Sequence, residues 1–225
     1  MGGFTGFGPK ALPFFKGLAF HQNKAWFDEN RSLYETDALQ PMVDLLGDLT
    51  AAFAKRKIPL KADGKRSIFR INRDVRFSKD KRPYKTHMGA VMTRTGTKND
   101  PGLLYIHISP EGCFAAAGFY NPEPPQLAQF RKAMKAKPAA FTAVTAALKK
   151  GGLELGRHED QLVRIPRGFE ELKDGPLDGP IRMKSFIVEE ALVDRLIATP
   201  KLTATIEDFA VRAMPLLKYG WAALG

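Results

Sequence analysis

The chain has 225 residues, 44% of them apolar, with 35 Lys plus Arg against 24 Asp plus Glu, a formal net charge of +11 at pH 7. This composition excludes a disordered polycation, which would carry far less apolar material. A chain of this length buries roughly 70% of its unfolded surface and needs no metal or disulfide staple. Its single cysteine, Cys113, excludes an intramolecular disulfide and fits a reducing compartment. No apolar run approaches the roughly 18 residues needed to cross a bilayer. The N-terminal run Ala11-Leu12-Pro13-Phe14-Phe15 is cut by Lys16 before it reaches the length of a signal-peptide core. The expectation is a cytoplasmic protein, one domain over residues 1–225, with no membrane partner. Its oligomeric state is not written in the composition.

Residues 11–56 read as helices. Phe14, Phe15, Leu18 and Ala19 recur at helical spacing, and Asn23 is a capping candidate ahead of Trp26, Phe27, Leu33 and Tyr34. Pro41 suits the first turn of a third helix, striped by Leu45, Leu46, Leu49, Ala52 and Phe53. Pro59 and Gly64 break the pattern. From about 66 to 120 the signal is that of strands. Leu104, Ile106 and Ile108 alternate with Tyr105, His107 and Ser109, the turn Pro110-Glu111-Gly112 follows, and Cys113 to Tyr120 returns as the second arm of a hairpin. Residues 88–94 form a shorter strand. Pro124-Pro125 and Pro138 open helices over about 125–136 and 138–149, the second ending at Gly151-Gly152. Residues 153–188 are irregular up to a late strand at 181–188. Helices close the chain on the stripe Ile206, Phe209, Ala210, Ala213, Leu216 and Leu217. The order predicts an α+β fold, a mainly antiparallel sheet packed with N-terminal, middle and C-terminal helices.

The positive charge is local. Residues 55–98 hold fifteen Lys or Arg against three acids, Asp63, Asp74 and Asp80, a net of +12, so the rest of the chain sums to −1. Read as a strand, the centre of this segment points Phe69, Ile71, Val75 and Phe77 to one side and Arg70, Asn72, Asp74 and Arg76 to the other. Arg73 falls on the apolar side. A guanidinium there is costly unless it is paired, so it needs a carboxylate such as Asp80 or a bulge that turns it outward. A row of Arg, Asn, Asp and Arg suits phosphate or carboxylate, which Arg binds bidentately. Arg70, Arg73, Arg76, Lys81 and Lys85 are therefore candidate ligand-binding residues, joined by Lys184 near Arg182. Asp74 and Asp80 would orient the cations or serve acid–base or metal chemistry.

The pattern Arg70-x-x-Arg73-Asp74-x-Arg76-Phe77-x-x-x-Lys81-x-x-Tyr84 resembles the signature of the family named domain of unknown function 2461. The likeness extends over Asn23 to Phe27 with Tyr34, Tyr105-x-His107-x-Ser109-Pro110, Pro166-Arg167-Gly168-Phe169 and Lys184-Ser185-Phe186. The resemblance implies that the basic motif matters and brings no activity or cofactor with it.

Other constellations are weaker. Gly64-Lys65-Arg66-Ser67 lacks the earlier glycine of a phosphate-binding loop and has Arg66 in its Ser/Thr position. His21, His87, His107 and His158 lack metal-ligand spacing, so no metal site is expected. Three functions remain open. The first is binding of a phosphorylated or polyanionic ligand at residues 70–85, with nucleic acid the broadest candidate and Phe77 and Tyr84 beside the charge. The second is an enzyme on a small phosphate or carboxylate substrate, in which the arginines bind charge, Asp74 or Asp80 is a base or metal ligand, and Tyr84 or His107 donates a proton. The third is a structural ion-pair network.

Overall fold

Asn23 opens a helix as its residue type predicts: its side-chain oxygen accepts from the Trp26 N–H at 3.0 Å. The computed structural model describes residues 3–76, 79–156 and 161–225. Helix α1 is Ala11–Phe20 and α2 is Lys24–Glu29. The coil then runs on through α3 (Arg31–Leu33), a π-helical segment (Tyr34–Leu39) and α4 (Gln40–Lys55). Pro41 thus sits inside a continuing coil rather than at a fresh start, directly after the widened turn. Such π-turns accommodate an interruption of the i to i−4 ladder. The carbonyl four residues before Pro41, that of Asp37, accepts from the Gly8 N–H at 2.9 Å, and the Asp37 carboxylate accepts from the Lys10 N–H at 2.8 Å. The interruption therefore anchors the segment that leads into α1.

The fold is α+β, and its strands form one four-stranded antiparallel sheet in the order β1-β2-β3-β4. These are Met88–Thr93, Leu103–Ile108, Cys113–Phe119 and Phe186–Leu192. The alternation expected of β2 holds, with Leu104, Ile106 and Ile108 buried and Tyr105 and His107 on the opposite face. Two expectations are corrected. Strand structure does not begin at 66. After a 3-10 turn at Gly64–Ser67, the described residues of the span 68–87 make only the isolated antiparallel bridges Ile68↔Ala90 and Asn72↔Tyr84. The Arg73 N–H reaches the Pro83 carbonyl at 2.8 Å, but Pro83 has no N–H to return, so the ladder stops. The Asp74 and Asp80 side chains also accept from the N–H groups of Arg76 and Arg82, at 3.2 and 3.0 Å, which diverts those donors into local turns. The late strand is also displaced. Ile181 and Arg182 close a short helix, α7 (Asp178–Arg182), braced by the Asp178–Arg182 ion pair at 2.8 Å, and β4 starts only at Phe186.

The remaining helices are α5 (Pro124–Ala136), α6 (Pro138–Lys150), α8 (Asp194–Ile197) and α9 (Lys201–Leu224), with a 3-10 turn at Glu170–Leu172. The chain divides into two compact units. One comprises Met1–Asp100, Leu104–Ala115 and Ala191–Asp208, the other Pro101–Leu103, Ala116–Glu190 and Phe209–Gly225. In the first, Phe14 packs on Phe15, Phe27 and Tyr34. In the second, Phe130 stacks on Phe186 at 4.8 Å and meets Phe119 edge-on at 4.9 Å, contacts worth more than their area alone. Among the described residues no helix is long and apolar enough to cross a membrane.

Within the second unit, Gly118 has φ +138°, and a Cβ there would press on the Phe186 carbonyl oxygen. Gly118→Ala is therefore expected to cost about 2 kcal/mol through strain and overpacking. Urea unfolding measures this, and a change within about 0.5 kcal/mol, the range of neutral surface substitutions, contradicts it.

Candidate functional site

The motif segment keeps the facing of a strand without its ladder. Ile71 is buried and Phe69, Arg73 and Val75 are half-buried, while Arg70, Asn72, Asp74 and Arg76 are exposed. Phe77 lies outside the described residues, as does His158. Inward-facing Arg73 has a carboxylate partner. Its Nη1 donates to Asp80 Oδ2 at 2.6 Å, and the two side chains are 29% and 31% exposed. Asp80 also accepts from Arg82, whose Nη2 stands 2.6 Å from Oδ2. The Arg82 guanidinium and N–H, then Arg73, hold the Asp80 carboxyl well below the usual carboxylate range.

Two members of the outward row, Asp74 and Arg76, engage each other. Asp74 accepts from Arg76 Nε at 3.0 Å and Nη2 at 2.7 Å, and this pairing keeps its pKa low. Lys81 donates to the Val75 carbonyl at 2.9 Å. Both acids are therefore very weak bases, poorly suited to proton abstraction near neutrality. Tyr84 is buried, stacks on Phe27 with ring centroids 4.7 Å apart, and gives its N–H to Gln22 Oε1 at 3.0 Å. Its ring belongs to the core. Lys184 lies in the second unit, between α7 and β4.

A second group of cations gathers around Phe69. Lys85 Nζ lies 5.4 Å and Lys98 Nζ 5.0 Å from the centroid of that ring, and Lys98 also donates to the Ile68 carbonyl at 2.6 Å. Burial pushes both ammonium groups below their ordinary pKa. Lys98, Arg70 and Arg73 add like-charge pressure on Lys85, and Arg70 adds it on Lys98. Among the described residues neither Lys85, Lys98 nor Arg70 forms a salt bridge.

Beside these cations stands a row of rings on the sheet. Tyr105 lies 6.2 Å from Phe69, and its hydroxyl passes over Gly89, where a Cβ would come within 2.5 Å of it. That hydroxyl shares a 2.9 Å hydrogen bond with His107 Nδ1. The His107 ring is held between His87 (4.5 Å) and Phe114 (4.6 Å). Burial, then neighbouring His87, pushes the His107 pKa down to about 4, so the ring is neutral at pH 7. Burial raises the Tyr105 hydroxyl to about 12. At the end of the row Ser109 Oγ donates to the Glu111 carboxylate, which lowers that acid's pKa. Sequence reasoning singled out His107 but missed Phe69, His87, Lys98 and Glu111 as neighbours. The available signal was parity, since 85, 87 and 89 share one face of their segment just as 105, 107 and 109 do. Among the described residues no three His, Cys, Asp or Glu side chains are grouped to hold a metal ion.

Compared with known proteins, the chain matches the model of a family described as a conserved hypothetical protein, domain of unknown function 2461, over residues 10–219. No curated protein and no solved structure matches it.

Two measurements check this electrostatic picture. The folded His107 pKa, about 4, lies below its ordinary 6.5. The unfolded chain thus holds more protons between those values, and the His107 contribution to stability falls as pH drops from 6.5 to 4. Imidazole NMR is expected to show His107 neutral at pH 5.5, and a midpoint near 6.5 contradicts it. Asp80 has the same sign in a lower window: its depressed pKa adds stability above the ordinary carboxylate pKa, lost only as pH falls below it. Asp80→Asn is accordingly expected to lower Tm at pH 7 more than Asp74→Asn does. Equal effects contradict the bridging role of Asp80.

Proposed function

We propose that this chain, which belongs to the domain of unknown function 2461 family, binds the anionic head group of a phosphorylated or similarly charged small ligand at Arg70, Lys85 and Lys98. One observation carries the reading. These cations act on one another near a single aromatic ring, two of them partly desolvated, without a salt bridge among the described residues. Like charges held together in a partly dry environment are unfavourable until a counter-charge arrives. A phosphate or sulfate group supplies that charge and matches the donors of Arg and Lys.

The same geometry divides the motif. Arg73 and Arg82 share the Asp80 carboxylate in one bridge, which supports a structural role for that half. Arg76 is paired with Asp74, Lys81 is bonded to a carbonyl, and Tyr84 is packed in the core. A nucleic-acid strand would need an open basic track with available rings, so a small head group is the better supported ligand. An enzymatic role draws its best support from Tyr105 and His107 rather than from Asp74 or Asp80, whose carboxylates are committed to arginines.

Thermal-shift titration tests the proposal. Inorganic phosphate at about ten times its Kd should stabilise the wild type by about 1.4 kcal/mol. Lys85→Met is expected to abolish that shift while leaving the ligand-free Tm no lower, because it removes like-charge pressure. Arg76→Ala is expected to keep the shift. A panel of phosphate, sulfate, sugar phosphates and nucleotides that leaves Tm unchanged at low salt contradicts the proposal.

A further inference from the structure

His87 stands two residues after Lys85 on the same face of its segment, at the junction between the cations around Phe69 and the ring row of the sheet. The groups facing it come from every neighbouring element. Lys85 faces it from its own segment, Arg73 from the motif, His107 from β2 and Glu111 from the turn after β2. The ring is half-buried. Unlike His107, whose Nδ1 is bonded to Tyr105, His87 makes no hydrogen bond through either ring nitrogen among the described residues. A partly buried imidazole with two unused nitrogens has hydrogen-bonding capacity that the fold does not satisfy.

We infer that His87 is a ligand residue of the anion site and that a sulfate- or phosphate-class dianion binds with uptake of one proton from solvent onto its imidazole. This rests on the anion site proposed above. Without a bound anion, burial and the charges of Lys85 and Arg73 oppose protonation of His87, and among the described residues the Glu111 carboxylate favours it. An anion seated beside Lys85 adds a negative charge at the point where repulsion is greatest. The ring then takes a proton and can donate from both nitrogens. Because binding and protonation are linked, each strengthens the other by the same factor. Affinity therefore rises as pH falls toward and below the ordinary histidine pKa. His107 is set apart from this role, since its ring faces are covered by His87 and Phe114 and its Nδ1 is engaged.

Sulfate is the appropriate probe because it stays a dianion from pH 5.5 to 8.0, so any pH dependence belongs to the protein. Isothermal titration in buffers of different ionisation enthalpy is expected to give net proton uptake and an affinity about fivefold tighter at pH 5.5 than at pH 8.0. His87→Gln should lose the pH dependence, binding sulfate with one affinity at pH 5.5 and pH 8.0. In the wild type, imidazole NMR should show the His87 midpoint rising when sulfate is added, a readout that needs no variant. Affinity that is flat with pH, a His87→Gln chain that keeps the wild-type dependence, or a His87 midpoint that sulfate leaves unmoved would overturn the inference while leaving the anion site standing. Absence of sulfate and phosphate binding at every pH overturns the anion site and the inference together.

Discussion

Arg73 faces the apolar side of its segment, and the Asp80 carboxylate makes that placement tolerable. Leaving a partly buried guanidinium unpaired is far more costly than exposing it, so the pair cannot be broken cheaply. Asp80 also takes Arg82, and the single bridge Asn72↔Tyr84 joins the two arms that these residues terminate. The ion pair therefore closes the excursion between residues 73 and 83 and lays residues 70–72 beside 84–87. Arg70 and Lys85 owe their mutual approach to that closure. Gln22 and Phe27 secure the returning arm through Tyr84, one by its backbone N–H and the other by its ring.

The sheet provides what lies beside the closed loop. Gly89 leaves room for the Tyr105 hydroxyl, and the 2.9 Å bond to His107 fixes the imidazole between two further rings. A rigid ring row thus stands against a set of mutually repelling ammonium and guanidinium groups. Rigid elements of this kind locate a site more reliably than loops do. The motif's acids are committed to arginines, whereas Arg70, Lys85 and Lys98 form no salt bridge among the described residues.

Much of this was legible in the residues, and the failures have physical causes. The parity of Phe69, Ile71, Arg73 and Val75 foretold the inward arginine, and the cost of a lone buried charge pointed to Asp80. The ladder was not legible, because it fails through the missing N–H of Pro83, ten residues from the donor it would have answered. Lys98 escaped notice because it meets Phe69 and Ile68 only through tertiary pairing, and His87 because only its contact with the His107 ring ties its parity with Lys85 to the sheet. The π-turn before Pro41 and the late start of β4 likewise depended on bonds made elsewhere, by Gly8 to Asp37 and by Arg182 to Asp178. Composition located the charge in one segment but could not divide it between cations paired with acids and cations without a salt bridge among the described residues.

The central claim is that anions bind at Arg70, Lys85 and Lys98 rather than along the whole basic segment. Side-chain NMR during titration with inorganic phosphate at low ionic strength tests it most directly. The claim predicts saturable shifts confined to the Lys85 and Lys98 side chains, the Arg70 guanidinium and the Phe69 ring. Equal, non-saturating shifts at Lys65, Lys79 and Lys184 would contradict it, because they would show diffuse attraction to a basic surface in place of a site.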